Sequence, residues 1–173
     1  MRPTKLIATF RRFPKELFRV NDGRQIKLRV WSPQRREVYD IFAENGRVEP
    51  KALNHATYVA PNGASMRPNS PYQQALVSWR FKSQNMVVFG VPEGTELPED
   101  LLLVHERSDH YSLQPARSMT IDDLNGKISL FMAEHARVFN RDQWMKAYPK
   151  ATEDSNFPIK RRSPSNTDPD NNR

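Results

Sequence analysis

Hydrophobic and polar residues alternate along several short segments of the chain, a pattern typical of strands with one buried face. Residues 13–20 alternate and lead into the Asn-Asp-Gly sequence of residues 21–23, which favours a tight turn. Residues 25–31 alternate strictly, and residues 4–10 alternate more weakly. The pattern therefore predicts three strands early in the chain, the last with basic side chains on its outer face.

The next segments carry a helix signal and then a loop signal. Ser32 before Pro33 forms a typical helix start, and the apolar residues that follow predict a helix that stops at residues 45–46. Residues 56–60 predict a short strand. The three prolines and one glycine of residues 61–71 predict irregular structure, with a short helix beginning at the Ser-Pro pair of residues 70–71.

The second half of the chain contains the more hydrophobic segments. Residues 86–91 and 101–104 are almost wholly apolar and predict buried strands, and residues 110–115 predict a further strand. Thr120, with an acid three residues later, caps a predicted helix through Val138, and Asn140 begins a second short helix. Because successive strands lack crossover helices, this order predicts an α+β fold with a mostly antiparallel sheet.

The strand at residues 110–115 combines polar and apolar side chains in strict alternation. His110, Ser112 and Gln114 are expected to share one face, whereas Tyr111 lies on the other. The proline at residue 115 cannot donate a ladder hydrogen bond, so the strand is expected to end there. We expect the polar face to lie at a sheet margin, where a cleft can form.

The length and composition indicate one domain with a polar appendage. The chain has 173 residues, 37% of them hydrophobic, and we predict a single domain over residues 1–149. Residues 150–173 are rich in Pro, Ser, Asn and Asp and predict a disordered tail. No segment has the apolar length of a membrane span or the pattern of a signal peptide, so we expect a protein without a membrane anchor.

Charge and cysteine content narrow the classes of partner. Residues 1–49 contain 12 Lys and Arg against 6 Asp and Glu, so most of the net charge of +7 lies there. Such a region attracts nucleic acid, an anionic cofactor or an acidic protein, or is a solvated surface with no partner. The chain has no cysteine and four dispersed histidines, which argues against disulfides and against a metal site.

Several motifs resemble a known toxin family. Residues 91–101 (VPEGTELPEDL), 110–116 (HYSLQPA) and 141–144 (RDQW) are similar to the type VI secretion exported effector toxins that have an ADP-ribosyltransferase-like fold. Residues 17–20 resemble the first strand of that family, which carries an arginine. Residues 58–65 resemble its strand and glycine-hydroxyl loop, although here Gly63 is followed by Ala64 before the hydroxyl of Ser65.

This resemblance implies a split, mostly antiparallel sheet and a cytotoxic function. It implies an NAD-binding cleft, action in the cytoplasm of a target cell, and a cognate immunity protein that protects the producer. Cleavage of the nicotinamide–ribose bond passes through an oxocarbenium-like state, so the site must hold a pyrophosphate and stabilise positive charge on the sugar.

The resemblance and the chemistry together select eight candidate residues. The candidate catalytic groups are His110, Ser65 and Gln114, the last standing where such enzymes usually carry a carboxylate. The acids at 93, 96, 99, 100 and 106 are expected in loops and mostly solvated. The candidate NAD-binding residues are Arg19 for phosphate, Gly63 for close backbone approach, Tyr58 and Tyr111 for ring stacking, and Ser112 beside His110.

Each of these residues also has an ordinary structural interpretation, and two other functions stay open. Without a carboxylate, the reaction is either transfer of ADP-ribose or hydrolysis of NAD. A second hypothesis is a non-enzymatic nucleic-acid binder that uses the basic N-terminal third. A third is an inactive relative that serves as a protein-interaction module.

Overall fold

A computed structural model describes residues 3–153 as an α+β structure. The described part contains three α-helices, namely α1 (Pro71–Ala75), α2 (Ile121–His135) and α3 (Arg141–Ala147), with a 3₁₀ turn at Lys51–Leu53 and a π-helical turn at Leu76–Arg80 that continues α1. Its nine strands are β1 (Ala8–Phe10), β2 (Leu17–Asp22), β3 (Arg47–Val48), β4 (Ala64–Met66), β5 (Met86–Val91), β6 (Leu101–Arg107), β7 (His110–Pro115), β8 (Met119–Thr120) and β9 (Arg137–Phe139).

The strands form three antiparallel sheets. The largest has the order β1-β6-β7-β4, a second has the order β2-β5-β9, and β3 pairs with β8. A bridge joins the first two sheets, because the backbone N–H of Phe18 donates to Arg67 at 2.7 Å and that of Arg67 donates back at 2.9 Å. This bridge brings β2 alongside the end of β4 and so positions the candidate site.

One apolar core lies between the large sheet and α2. Leu124, Ile128 and Phe131 of α2 are buried in it, together with Tyr111 and Leu113 of β7. A second cluster is centred on Trp144 of α3, whose ring contacts Phe18 edge-on at a centroid distance of 5.4 Å. Helix α3 therefore packs behind β2, the strand that carries Arg19.

Three of the four helix starts predicted from side-chain caps are confirmed, namely those at Ser70, Thr120 and Asn140. Ser70 accepts a hydrogen bond from the N–H of Gln73 at the start of α1, and Thr120 accepts one from Asp123 at the start of α2. Asn140 and Gln143 form a reciprocal capping box at the start of α3. Strands β5, β6 and β7 also lie where the sequence predicts them.

The helix predicted after residue 33 is wrong, since residues 32–46 form turns and isolated bridges instead. The segment doubles back, so that the Asp40 carboxylate accepts hydrogen bonds from the Arg29 backbone at 2.7 Å and from the Arg29 guanidinium at 3.0 Å and 3.2 Å. Val38 is 59% exposed whereas Ile41 is fully buried, so the apolar residues do not share a helical face. The pairing of Asp40 with Arg29 takes the place of the helix between early strands.

Residues 25–31 do not form the predicted strand, although their alternation does separate buried from exposed side chains. Ile26 and Leu28 are buried, whereas Lys27 and Arg29 are exposed. The backbone N–H groups of the two buried residues donate to side chains of α2, at 2.9 Å to Ser129 and 3.0 Å to Asn125. Side chains of a helix thus replace the neighbouring strand that the pattern implied.

Three further boundaries differ from the sequence predictions. Residues 56–60 form turns rather than a strand, and the strand β4 lies instead within the segment predicted to be irregular. The helix predicted from Thr120 through Val138 ends at His135, because residues 137–139 pair with β5 as β9. Pairing with a sheet edge outweighs a weak helical signal at the end of α2.

Strand β7 does not lie at a sheet margin as predicted, because it is paired on both sides, with β6 and with β4. All six of its residues are buried. Its apolar face meets the main core, and its polar face is covered by side chains that include Tyr58 and Glu106. The two-faced character of the strand is confirmed, but both of its faces are interior.

The end of the described region is hydrogen-bonded to the domain. Asn69 donates to the backbone of Lys150 at 2.8 Å and accepts from the N–H groups of Thr152 and Glu153. The rest of the predicted tail, residues 154–173, lies outside the described residues. Within residues 3–153, no helix combines the length and the apolar character that crossing a lipid bilayer requires.

Candidate functional site

A cavity of about 800 Å³ opens between β2, the end of β4 and the helical segment that begins with α1. Its volume is in the range of ordinary small-molecule pockets. The cavity is lined by residues 18–25, Lys27, Arg29, Asp40, Ser65, Arg67, Tyr72, Gln73, Leu76 and Phe81.

The cavity lining is strongly cationic. It contains five cationic side chains, from Arg19, Arg24, Lys27, Arg29 and Arg67, against two carboxylates. Asp40 is paired with Arg29, whereas Arg24 and Lys27 have no carboxylate within 4.0 Å among the described residues. Such a lining favours an anionic ligand.

Arg19 is held in place at the wall of this cavity. Its Nη1 donates to the backbone carbonyl of Ser65 at 3.1 Å, and its Nε donates to Asn21 at 3.2 Å. Burial lowers the pKa of Arg19 to about 10, and the nearby charge of Asp40 only partly offsets this effect. A guanidinium that is partly stripped of water binds a phosphate oxygen more strongly than a fully hydrated one does.

Ser65 joins the cavity to β7. Its side chain lines the cavity, and its Oγ lies 2.9 Å from Nε2 of His110. β4 and β7 pair with Ser65 opposite Ser112, which places Ser65 beside the histidine that starts β7. The structure thus brings Arg19, Ser65 and His110 together, although they are far apart in the sequence.

Glu106 lies behind His110 and completes a chain of three polar side chains. Oε2 of Glu106 is 2.7 Å from Nδ1 of His110, a close contact that is not well aligned as a hydrogen bond, and Glu106 is only 4% exposed. Burial raises the pKa of Glu106, but the opposing effects of His110 and of the Tyr58 hydroxyl outweigh it and bring the pKa below its ordinary value. The group is therefore an ionised carboxylate next to the imidazole.

The predicted residues Gln114, Ser112 and Tyr58 belong to this buried network and do not line the cavity. Nε2 of Gln114 lies 2.7 Å from the Tyr58 hydroxyl, 2.7 Å from the Ser112 hydroxyl and 3.2 Å from the Glu106 carboxylate, and these three acceptors share its two hydrogens. The Tyr58 hydroxyl hydrogen-bonds Oε1 of Glu106. Burial, and then the charge of Glu106, raises the pKa of Tyr58, so the phenol stays protonated.

Gly63 and Tyr111 also lie away from the cavity lining. A Cβ atom on Gly63 would lie 2.0 Å from the carbonyl oxygen of Leu113, so glycine allows the chain to approach β7 closely. The Tyr111 ring stacks on the His105 ring at 4.1 Å on the apolar face of β7, and burial raises its pKa to about 12.

Sequence reasoning missed Glu106, Arg67 and Gln73. Glu106 was expected in a loop and solvated, which is wrong, because it is buried in β6 at a bulge between His105 and Arg107. The regular pairing that ends with His105 opposite Tyr111 would, if continued, place residue 106 opposite His110, but the apolar run ends at Val104 and Glu106 was predicted in the following turn, so the contact with His110 was missed.

Two buried donors of residues in the cavity lining have no hydrogen-bond partner among residues 3–153. They are Nε2 of Gln73, a residue only 1% exposed, and Nε of Arg67. Solvent reaches neither atom, and Nε of Arg67 lies 3.8 Å from the Asp109 carboxylate, which offsets its charge. The described residues contain no cluster of three His, Asp or Glu side chains that would bind a metal ion.

Comparison with known proteins identifies a family that matches the part of the chain containing this site. A search of curated proteins gave no match. The family described as Tse2 ADP-ribosyltransferase toxin matches the chain over residues 15–144, which include Arg19, Ser65, Glu106 and His110. The match spans most of the chain and confirms the resemblance seen in its motifs. The protein therefore belongs to the Tse2 ADP-ribosyltransferase toxin family, a family of type VI secretion effector toxins.

Proposed function

We propose that this toxin has an ADP-ribosyltransferase-like fold, binds NAD in the cationic cavity and breaks the bond between nicotinamide and ribose. The observation that carries the proposal is the placement of Arg19 and Ser65 on one cavity wall, with His110 in contact with Ser65. The volume and charge of the cavity suit a dinucleotide with a pyrophosphate. Family membership supports the same reaction class.

We assign binding of NAD and cleavage of its glycosidic bond to different residues of the site. Arg19 is suited to the pyrophosphate, and the Ser65 hydroxyl is suited to a ribose hydroxyl. In the reaction the glycosidic C–N bond breaks, nicotinamide leaves with the bonding electrons, and water or an acceptor bonds to the sugar carbon. His110 is only 8% exposed and does not itself line the cavity, so it accepts the proton that the attacking group loses through the Ser65 hydroxyl, which lies between its Nε2 and the cavity.

Glu106 and its partners act through His110 in this proposal. A proton on Nδ1, the ring nitrogen next to the Glu106 carboxylate, leaves the Nε2 lone pair facing Ser65. Gln114 and Tyr58 donate hydrogen bonds to Glu106, and Gln114 also contacts Ser112, so these residues fix the imidazole indirectly. Gly63 allows β4 and β7 to pair closely, and Tyr111 anchors β7 in the core.

Measurement of nicotinamide release and of NAD binding tests the proposal. The wild type is expected to release nicotinamide from NAD, and His110→Ala is expected to lose at least about a hundredfold in rate. His55→Ala is the matched control, since His55 is exposed in a turn outside the site. If the wild type neither releases nicotinamide nor binds NAD by calorimetry, the proposal fails.

Expression in cells tests the toxic role. We propose that the protein acts in the cytoplasm of the target cell and that a cognate immunity protein neutralises it, as its effector family generally implies. Wild type expressed in a heterologous bacterium should arrest growth, whereas His110→Ala should not. If cells grow normally with either protein, the hypothesis of an inactive protein-interaction module is favoured instead.

A further inference from the structure

A ledge of alternating guanidinium groups and aromatic rings extends from the cavity to its outer rim. The Arg67 guanidinium lies 4.3 Å from the centre of the Tyr72 ring. Arg80 lies 5.0 Å from the Tyr72 ring and 5.0 Å from the Trp79 ring. We call these four residues the stacking ledge. Arg67 and Tyr72 line the cavity, so the ledge is continuous with the candidate site.

The outer end of the stacking ledge is exposed and yet firmly supported. Trp79 is 61% exposed and Tyr72 is 37% exposed, which is unusual for large rings. Trp79 lies in the π-helical turn, a feature that is frequent at functional sites. Arg141 of α3 donates to the carbonyl groups of Val77 at 2.9 Å and Phe81 at 3.2 Å, on either side of Trp79.

The chemistry of the ledge matches one class of ligand. Unstacked bases bind to aromatic faces and to guanidinium planes, while Lys and Arg side chains bind the phosphates. The cavity next to the ledge provides Arg24 and Lys27, which have no carboxylate within 4.0 Å among the described residues. Acidic side chains of a peptide would use the cations but would not stack on the exposed Trp79 ring.

We propose that the stacking ledge and these two cations bind a single-stranded nucleic acid, and that this nucleic acid is the acceptor of ADP-ribose. The transfer step rests on the proposed function, whereas the binding step does not. In the transfer, the C–N bond to nicotinamide breaks and nicotinamide leaves with the electron pair. An oxygen or nitrogen of the nucleic acid bonds to the sugar carbon, and any proton that it loses passes to His110.

Binding is tested with fluorescent RNA and DNA oligonucleotides of about 12 nucleotides, a length that spans common single-strand sites. The protein is the His110→Ala variant, so no turnover occurs. Anisotropy is expected to show binding that weakens as salt rises. Trp79→Ala is expected to weaken binding at least about tenfold, since stacking on one ring contributes roughly 1–3 kcal/mol. Comparison of the RNA and DNA oligonucleotides shows which of the two nucleic acids binds more tightly.

Two controls separate the ledge from general effects. Leu130→Ala removes a side chain of similar exposure (58%) from α2, outside the cavity lining, and should leave oligonucleotide affinity unchanged. Trp79→Phe keeps an aromatic face and should restore most of the affinity. Binding that is equal for the Trp79→Ala and unsubstituted forms, or binding of poly-glutamate as tight as that of the oligonucleotide, would overturn the proposal.

Transfer is tested with NAD labelled in its adenylate part. Label should appear on the oligonucleotide with wild type but not with Trp79→Ala, which should still release nicotinamide when no acceptor is present. Nicotinamide release without oligonucleotide binding would refute this inference and leave the proposed function intact. Oligonucleotide binding without NAD cleavage would refute the proposed function and leave the ledge as a binding site.

Discussion

Side chains that solvent does not reach hold the Ser65–His110 pair in place. His110 contacts Ser65 through Nε2 and Glu106 through Nδ1, so each ring nitrogen has a distinct neighbour. Glu106 in turn is contacted by Tyr58 and Gln114. The orientation of the imidazole therefore depends on residues outside the cavity lining, and in the mechanism that we propose these are positioning residues rather than catalytic ones.

Replacement of the buried carboxylate should change the protonation pattern of the imidazole. Glu106→Gln preserves the shape of the side chain, but its amide can donate to Nδ1 and so move the ring proton to Nε2, the atom that faces Ser65. We expect nicotinamide release to fall about tenfold or more, with a changed pH profile. NAD affinity, which we propose to depend on Arg19, should change little.

The pH profile of nicotinamide release distinguishes a positioning role of Glu106 from an effect on stability. It is measured over the pH range in which wild type and Glu106→Gln are both fully folded. A loss of activity with an unchanged profile, or a normal rate for Glu106→Gln, would contradict the positioning role. Glu99→Gln is the control, because Glu99 is an exposed acid that precedes β6 and lines no part of the cavity.

The same carboxylate predicts how stability depends on pH. The pKa of Glu106 is lower in the folded chain than its ordinary value of about 4.3, so its ionised form stabilises the fold above that value. This contribution is lost as the pH falls through the lowered pKa. The free energy of unfolding of Glu106→Gln should therefore be about 1–3 kcal/mol below that of wild type at pH 7, with a smaller gap below about pH 4.

Urea unfolding of both proteins at several pH values measures this difference. A gap that stays constant down to about pH 3 would show that the charge of Glu106 does not stabilise the fold.

Alternation within β7 was sufficient to predict which of its residues are polar neighbours. His110, Ser112 and Gln114 do share a face, because a strand has a fixed period of two. The partner of His110 was not predicted, because the apolar run of β6 ends at Val104 and Glu106 was assigned to the turn that follows. In the structure β6 continues through a bulge to Arg107, and the polar residues after Val104 give no local signal that the strand extends so far.

At the scale of elements, the site depends on how closely β4 approaches β7. Ser65 lies opposite Ser112 in this pairing, and the Phe18–Arg67 bridge then places β2 beside Ser65. The sequence predicted β7 well because it is long and alternates. It predicted loop for residues 61–71, because β4 has only three residues and is surrounded by prolines. Short strands of this kind are fixed by their partners rather than by their own residues.

Gly63→Ala tests this close approach. The new Cβ would lie 2.0 Å from the Leu113 carbonyl oxygen, so β4 must move away from β7. We expect the free energy of unfolding to fall by about 1–3 kcal/mol or more, together with loss of nicotinamide release as Ser65 leaves His110. Urea unfolding and the NAD assay measure the two effects.

Gly126→Ala is the matched control for this substitution. Gly126 lies in α2, and a Cβ at this residue would have no neighbouring atom within 4 Å, so alanine should raise the free energy of unfolding by roughly 0.5–1 kcal/mol. If Gly63→Ala were as stable and as active as wild type, the pairing of β4 with β7 would not be the constraint that positions Ser65.

At the scale of the whole molecule, segments distant in sequence meet around β2. Its Phe18 packs against Trp144 of α3, and the strand pairs with β5 along its full length. Composition and order of elements predicted the α+β class, since these depend on many residues at once. They could not predict that residues 25–31 would bond to helix side chains, because this depends on Ser129 and Asn125 about a hundred residues later.

Truncation tests where the domain ends. Asn69 makes three hydrogen bonds to residues 150–153, and Glu153 also pairs with Lys15, so a chain of residues 1–153 should be more stable than one of residues 1–149. At about 1 kcal/mol for each of the three hydrogen bonds, the shorter chain should unfold roughly 6–12 °C lower. Asn69→Ala removes only the side-chain bond to Lys150, because its backbone carbonyl still accepts from Thr152 and Glu153, so it should destabilise the longer chain by about 1 kcal/mol more than the shorter one. Equal unfolding temperatures for the two chains, measured by circular dichroism, would place the boundary at residue 149 as the composition predicts.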